Sequence, residues 1–250
     1  MNEKEWFEDQ DFWLAYAPLM FDESRWAEVP EVVDRLQRLS SLHAGGRVLD
    51  LCCGVGRHSV EFAKRGFSVT GVDITEAYLD AAAETAAAEA VGTNLELICD
   101  DARRFSRPGY FDLCLNLYTS FGYFSRREDD LLLLANCAKN LAPGGRLILE
   151  TVGKETAARD FVESERFERA GWNVTTEFKI LGDWEYEVNR WILEKGTERV
   201  DRSFALRLYS AYEMKQALAE AGFASVAIFG GLDGKPYDEK ADSLVAVARR

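Results

Sequence analysis

Two carboxylates and a pair of glycines carry the clearest chemical signal in this chain. Asp50 lies near the end of an apolar strand that leads into Gly54 and Gly56, and a predicted helix follows at once. Glycine permits unusual backbone dihedrals and lacks the Cβ that would keep a ligand away from the backbone. The start of a helix offers unpaired N–H groups to a ligand. The segment 48–56 therefore predicts a ligand-binding loop.

Asp73 ends the second predicted strand, where a ligand of an open parallel sheet is expected. A carboxylate at this place can accept hydrogen bonds from both hydroxyls of a ribose. The alternatives are a helix N-cap or a solvated loop residue. Asp50 lies inside an apolar strand end and needs partners that offset its desolvation. Those partners are a ligand ammonium or the N–H groups of its own loop.

Other cofactor loops fit the same segment less well. The nicotinamide fingerprint requires a third glycine, but Arg57, His58 and Ser59 follow Gly56. A phosphate-binding Walker A loop would need Gly-Lys-Ser/Thr, which is absent from this segment. We expect His58 at a surface or capping position of the helix, since nothing in the sequence aims it at a nucleophile.

Composition excludes several other kinds of function. The 250 residues include 30 Lys and Arg against 43 Asp and Glu, a net charge of −13. This charge disfavours a sequence-blind nucleic-acid binder. The 2 histidines nearly exclude zinc sites built on several imidazoles, so we expect no metal. The 5 cysteines form no CxxC pair, and no predicted segment is long enough to span a bilayer, so we expect a reduced cytoplasmic protein.

The elements that must position the loop form an alternating pattern. After an acidic and aromatic N-terminal arm and a helix at 31–42, apolar strands alternate with helices from Gly45 onwards. The predicted strands lie at 47–51, 67–72, 95–99, 111–116 and 146–151. Such alternation predicts a mainly parallel sheet covered on both faces.

The alternation then gives way to β-rich segments. Residues 172–180, 184–195 and 197–208 are separated by turn signals and predict an antiparallel meander. A helix at 211–221 and two strands at 223–229 and 244–248 close the chain.

Taken together, these motifs resemble those of class I S-adenosylmethionine-dependent methyltransferases. Asp50-Leu-Cys-Cys-Gly54-Val-Gly56 matches the family's acid-x-Gly-x-Gly-x-Gly motif, with Cys52 in place of the first glycine. Asp73 matches the acid after the second strand. Asp101-Ala102 matches the family position that contacts adenine, and residues 141–149 match the turn into the fifth strand. The sequence also resembles a bacterial subgroup with a β insertion after that strand.

The resemblance implies a Rossmann-like seven-stranded α/β fold with a mostly parallel sheet, an antiparallel last strand and an antiparallel β insertion. It implies one methyltransferase domain over 1–250, with an N-terminal helical arm at 1–44. The core would span 45–151 and 209–250, and the insertion at 152–208 would serve as a substrate cap or dimerisation element. The cofactor would be S-adenosylmethionine, released as S-adenosylhomocysteine. The implied cofactor-binding residues are Asp50, Cys52, Gly54, Gly56, Asp73, Ile74, Asp101, Ala102, Asn116 and Leu117.

The substrate side is less defined. The family's amino-methylating members often carry two prolines after the residue that corresponds to Asn116, and this chain lacks both. Substrate contacts are expected from Phe121, Tyr123, Arg207 and Tyr209. Tyr16, Tyr118 and Tyr123 are candidate catalytic residues, although packing explains each of them equally well.

We therefore expect a small-molecule methyltransferase that acts by in-line displacement, which requires positioning more than acid–base groups. The alternatives are a non-catalytic S-adenosylmethionine-binding protein and a nucleotide-dependent oxidoreductase. We expect no nucleic-acid or membrane partner, and a possible homodimer would form through the insertion.

Overall fold

The computed structural model describes residues 5–250 and contains two sheets. The first four residues of the predicted arm lie outside the described range. The helices are a short 3-10 turn at Trp6–Glu8, then α1 (Gln10–Met20), α2 (Glu23–Ala27), α3 (Val29–Ser40), α4 (Arg57–Lys64), α5 (Glu76–Ala88), α6 (Arg127–Asn140), α7 (Lys154–Asp160) and α8 (Ala211–Glu220). The strands are β1 (Arg47–Leu51), β2 (Ser68–Asp73), β3 (Leu95–Cys99), β4 (Phe111–Asn116), β5 (Leu141–Thr151), β6 (Ser164–Arg169), β7 (Trp172–Leu181), β8 (Tyr186–Lys195), β9 (Glu198–Arg207), β10 (Ser225–Phe229) and β11 (Leu244–Arg249).

The larger sheet has seven strands in the order β10-β11-β5-β4-β1-β2-β3. Strands β1 to β5 pair in parallel, whereas β11 runs antiparallel to both β5 and β10. The predicted seven-stranded, Rossmann-like α/β fold with an antiparallel last strand is therefore confirmed. The strand order reverses between β1 and β4, which is the place where open α/β sheets bind ligands.

Two apolar cores cover the two faces of this sheet. Because successive side chains of a strand point to opposite faces, Val48 of β1 packs with α3 and α4, whereas Leu49 and Leu51 pack on the side of α6 and α8. These β1 residues are fully buried, as the continuous apolar run predicts for a strand covered on both faces. Packing of helices on both faces of the sheet holds the carboxyl ends of β1, β2 and β4 in fixed register.

The smaller sheet is antiparallel, in the order β6-β7-β8-β9, and lies within the predicted insertion. The structure contains the three predicted strands of the meander as β7, β8 and β9, and it adds β6 and α7, which the sequence analysis did not predict. Strand β6 reads Ser-Glu-Arg-Phe-Glu-Arg and offers one apolar residue, Phe167, so it lacks the alternation that reveals a strand. A β-bridge between Gly153 and Tyr209 joins the two ends of the insertion.

Candidate active site

A cavity of about 530 Å³ lies between the carboxyl edge of the large sheet, the N-terminal arm and the small sheet. Most of the residues expected to act on a cofactor or substrate line it. They are Tyr16, Asp50, Cys52, Gly54, Asp73, Ile74, Asp101, Ala102, Leu117, Tyr118 and Tyr123.

The glycine loop turns sharply at the end of β1. Cys52 has φ +61° and Gly54 has φ +55°, both in the left-handed region that favours glycine. Cys52 therefore takes a backbone conformation that the glycine of the family motif would adopt without steric cost. A Cβ on Gly54 would lie 3.0 Å from the Phe21 ring, so the arm covers the loop closely.

Asp73 ties this loop to the neighbouring strand. One carboxylate oxygen accepts a hydrogen bond from the Gly54 N–H at 2.7 Å, and the other accepts one from the Thr75 N–H at 2.8 Å. The side chain is buried, and this burial raises the pKa of Asp73 although backbone hydrogen bonds oppose the shift. Asp73 thus lines the cavity and also supports the entry to α5.

Asp50 is buried beneath the loop. Its Oδ2 accepts a hydrogen bond from the Ser59 hydroxyl of α4 at 2.6 Å. Desolvation raises the pKa of Asp50 to about 6, with the hydrogen bond from Ser59 acting in the opposite direction. A cation that binds at this carboxylate would offset its desolvation, which fits the predicted contact with a ligand ammonium.

Asp101 has a partner that the sequence analysis missed. Both of its oxygens accept hydrogen bonds from Arg103, the shortest at 2.6 Å. Burial raises the pKa of Asp101, but the Arg103 hydrogen bonds outweigh it and lower the pKa. An adenine amine at this place would share the carboxylate with Arg103.

Two of the tyrosines connect the arm to the rest of the cavity. The Tyr16 hydroxyl donates to the backbone carbonyl of Trp191 in β8 at 2.7 Å. Burial raises the pKa of Tyr16 to about 12. The Tyr118 hydroxyl donates to Glu28 at 2.9 Å, and its ring stacks on His58 with centroids 5.4 Å apart.

Tyr123 packs against the aromatic rings of the arm. Its ring lies 4.7 Å from that of Trp6, and burial raises its pKa. Because burial raises the pKa of all three tyrosines, their phenols stay protonated near neutral pH and act as hydrogen-bond donors.

Two of the expected cofactor residues do not line the cavity. A Cβ on Gly56 would lie 2.8 Å from the Cβ of Ala82, so this glycine permits α4 to pack closely on α5. Asn116 is fully buried, and its amide donates to the Leu51 carbonyl at 3.4 Å across β4 and β1. Both residues support the loop from behind.

Three of the expected substrate residues also lie elsewhere. Phe121 is buried against the Tyr209 ring, with centroids 5.2 Å apart. The Tyr209 hydroxyl donates to the buried Asp130 at 2.8 Å, and Arg207 pairs with the same carboxylate at 3.2 Å. This buried cluster joins the insertion to α6, and its side chains do not reach the cavity wall.

The structure brings further residues to the cavity that sequence reasoning did not assign. His58 is buried rather than at the surface, because α4 packs it beneath Tyr118, and desolvation lowers its pKa to about 3. The small sheet contributes a set of inward side chains. These are Phe167, Arg169, Phe178, Glu187, Asn189, Trp191, Phe204 and Leu206. The period-two spacing of residues 187, 189 and 191 is the sequence signal for this shared face.

Neither a metal cluster nor a membrane-spanning helix is found in the part of the chain that the structure describes. Within residues 5–250, no group of three or more His, Cys, Asp or Glu side chains is arranged to hold a metal ion. Over the same range, no helix combines the length and apolarity required to cross a membrane.

Comparison with known sequences gives a family match that includes the glycine loop. Residues 48–145 match the family described as a methyltransferase domain. A curated relative, the ubiquinone biosynthesis O-methyltransferase of Coxiella burnetii, is 31% identical over 119 residues, which cover 46% of this chain and 47% of the relative. The chain thus spans about half the length of the curated relatives it matches.

Solved structures agree on the fold. An S-adenosylmethionine-dependent methyltransferase from Clostridium acetobutylicum has a TM-score of 0.77 at 14% identity, covering 96% of this chain and 97% of that one. CalS10, an amino pentose methyltransferase from Micromonospora echinaspora solved with S-adenosylmethionine bound, has a TM-score of 0.68 at 24% identity, with both chains covered in full. The resemblance inferred from the sequence motifs is confirmed.

Proposed function

We propose that this chain, whose residues 48–145 match the family described as a methyltransferase domain, transfers a methyl group from S-adenosylmethionine to a small-molecule acceptor. The observation that carries the proposal is that Asp50, Gly54 and Asp73, at the carboxyl ends of two neighbouring parallel strands, line one largely apolar cavity. When bound, S-adenosylmethionine would supply a methyl group on a sulfonium: the acceptor's lone pair would attack the methyl carbon, and the S–CH₃ bond would break as S-adenosylhomocysteine departs as the leaving group.

The residues present fit this cofactor. Asp73 offers its remaining lone pairs to ribose hydroxyls, while its hydrogen bonds with Gly54 and Thr75 hold the loop in place. The carboxylate of Asp50 attracts an ammonium group, and Ile74 and Leu117 provide apolar wall. Asp101 and Ala102 present a carboxylate and a backbone N–H after β3, as adenine recognition requires.

The chain's own contribution to the reaction is orientation and the exclusion of water. Aromatic rings of the arm and the small sheet surround the space beyond the loop. Such walls hold an acceptor near its reactive geometry and limit competing hydrolysis. Tyr16, Tyr118 and Tyr123 remain the candidate catalytic residues. Because the hydroxyls of Tyr16 and Tyr118 already donate to Trp191 and Glu28, these two would orient the acceptor by accepting a hydrogen bond or through their ring faces.

Methyl transfer from labelled S-adenosylmethionine to a fractionated extract of small metabolites tests the proposal. We expect labelled product with the wild type and a strongly reduced amount with Asp73→Ala. A chain that binds the cofactor tightly but labels nothing would instead support the non-catalytic binding protein. Binding of NAD without binding of S-adenosylmethionine would support the oxidoreductase.

The expected homodimer through the insertion is also a proposal. Two exposed large apolar residues that do not line the cavity, Val162 and Leu181, lie within this segment, and β6 and β9 are edge strands. Light scattering should give about twice the 28.2 kDa chain mass, and Leu181→Glu should lower it. A wild-type mass of one chain would contradict the dimer. The absence of nucleic-acid and membrane partners and the cytoplasmic location are likewise proposed.

A further inference from the structure

Glu187 lies on the cavity wall in unusually apolar surroundings. It shares the inward face of β8 with Asn189 and Trp191. Its direct partners across the sheet are Ile180 of β7 and Leu206 of β9. The side chain is half-buried, and desolvation raises the pKa of its carboxyl group. A carboxylate in this position carries a desolvation cost that a ligand of opposite charge would offset.

The partners of Glu187 differ from those of Asp73 and Asp101 in the same cavity wall, and resemble those of Asp50, which also has one neutral partner, Ser59, and is assigned above to the cofactor's ammonium. Asp73 accepts two backbone N–H groups, and Asp101 is paired with Arg103. Glu187 accepts one side-chain hydrogen bond, from the neutral amide of Asn189 at 3.3 Å. Among the residues that the structure describes, no Lys, Arg or His lies within 4.0 Å of its carboxylate.

The outward face of the same sheet shows the opposite arrangement. Arg190, which follows Asn189 in β8, pairs with Glu177 at 3.0 Å and with Asp201 at 2.7 Å. Glu177 and Asp201 on the outward face are therefore matched with a cation, whereas the inward Glu187 is not.

The aromatic rings around Glu187 suit the same kind of ligand. Asn189 lies opposite Phe178 and Phe204 in the strand register, and the Trp191 and Phe204 rings are 6.1 Å apart. Aromatic faces attract cations through their quadrupoles, and they also pack an apolar skeleton. Two arginines of the wall, Arg169 and Arg25, are each paired with an acid of the arm, Asp22 and Glu28, and Arg57 lies 4.0 Å from the same glutamate.

We propose that the acceptor of this enzyme is an amine, whose cationic amino group binds Glu187 while its apolar body packs against Phe178, Trp191 and Phe204. This inference rests on the proposed methyltransferase function and adds the substrate class to it. It concerns binding, and it holds whether the methyl group goes to the amine or to another atom of the acceptor.

Matched ligand pairs test this inference. Calorimetry with the full chain saturated with S-adenosylhomocysteine would compare tyramine with 4-(2-hydroxyethyl)phenol, and tryptamine with indole-3-ethanol. Each pair differs in an amine against a hydroxyl group. Because a hydrogen bond to a charged group is worth about 1.5–3 kcal/mol, we expect the amine of at least one pair to bind about 10-fold or more tightly.

Two variants test whether the Glu187 carboxylate causes the preference for the amine. Glu187→Gln should abolish the preference for the amine, whereas Glu187→Asp, which keeps the charge, should retain part of it. The matched control is Glu177→Gln on the outward face, which should leave the preference unchanged. Circular dichroism melting curves establish that the variants are folded.

The contrary outcomes are distinct. Equal affinity for amine and alcohol in every pair, no measurable binding of either amine, or a preference that survives in Glu187→Gln would each overturn the amine proposal. Failure of S-adenosylhomocysteine to bind would overturn the proposed function instead. In that case the ligand pairs are compared in the free protein, where the same outcomes decide the role of Glu187.

Discussion

The carboxylate of Asp73 holds the glycine loop and faces the cavity at the same time. Its two backbone hydrogen bonds bind the Gly54 loop to the start of α5. A ligand that binds Asp73 therefore meets a carboxylate that is already oriented, so binding costs little side-chain conformational entropy. The ribose role and the loop-supporting role, which the sequence leaves as alternatives, are compatible in one side chain.

Removal of this carboxylate should weaken cofactor binding. We expect Asp73→Ala to reduce the affinity for S-adenosylmethionine by about 1.5–3 kcal/mol, the value of a hydrogen bond to a charged group. Calorimetry measures the change, and Asp80→Ala, at an exposed position of α5, serves as the control. Equal affinities for Asp73→Ala and wild type would refute the ribose assignment.

His58 should make the stability of the protein depend on pH. Burial disfavours the charged ring and lowers the pKa of His58 from its ordinary value of 6.5 to about 3 in the folded protein. The unfolded chain therefore binds an extra proton between these values, and stability is lost as pH falls below about 6.5. From pH 7 to pH 5 this one group should cost the wild type about 2 kcal/mol.

Urea denaturation at the two pH values measures the effect. His58→Phe keeps a ring against Tyr118 and should remove about 2 kcal/mol of the pH-dependent loss. His43→Gln removes the exposed histidine and should leave most of that loss in place. An unchanged loss in His58→Phe would show that other groups cause it.

At the scale of elements, the arm joins the two sheets. Phe12, Tyr16 and Leu19 of α1 pack on Trp172, Val174 and Leu193 of the small sheet. Further along the arm, Phe21 lies over Gly54 of the large sheet's loop. The arm thus closes one side of the cavity, which explains why a strongly acidic segment is also rich in aromatic residues.

The contact between α4 and α5 gives a prediction at the same scale. Gly56→Ala should lower stability by about 2–4 kcal/mol, because it combines left-handed strain with overpacking against Ala82. Gly66→Ala is the control, since Gly66 has φ +82° but nothing within 4 Å of its added Cβ. That variant should show the strain alone, about 1–2 kcal/mol.

A double-mutant cycle separates the two contributions to the loss. If Ala82→Gly is added to Gly56→Ala, the overpacking is relieved, and the measured coupling should be favourable. Losses that simply add would contradict the proposed close approach of the two helices. Chemical denaturation measures all four proteins.

At the scale of the whole molecule, the cavity is built from three separate segments of the chain. The arm, the carboxyl edge of the large sheet and the insertion each supply part of the wall. A ligand that binds among them stabilises only the folded state, by an amount that grows with its concentration over Kd.

Thermal unfolding should therefore report cofactor binding. S-adenosylhomocysteine at 100 times its Kd stabilises the fold by about 2.7 kcal/mol, so Tm should rise by about 5–10 °C for a domain of this size. NAD at the same concentration should leave Tm unchanged. A rise with NAD and none with S-adenosylhomocysteine would contradict the methyltransferase proposal.

The sequence alone determined the large sheet and the residues at its carboxyl edge. Asp50, Gly54 and Asp73 follow apolar strands whose parallel pairing brings their ends together, so local pattern was sufficient to place them. The same reasoning wrongly assigned Arg207 and Tyr209 to the substrate side of the cavity. Both contact Asp130 in a buried cluster, and nothing in the sequence reveals this contact because Asp130 lies far away in the chain.

Only the tertiary structure decided how the insertion and the arm face this edge. Strand periodicity puts Glu187, Asn189 and Trp191 on one face of β8, but it does not say which face is inward. That choice depends on the packing of α1 against the small sheet, and on contacts such as Tyr16 with Trp191 that join residues 175 positions apart. Long-range packing of this kind leaves no local pattern, so the substrate side of the cavity could not be derived from the sequence.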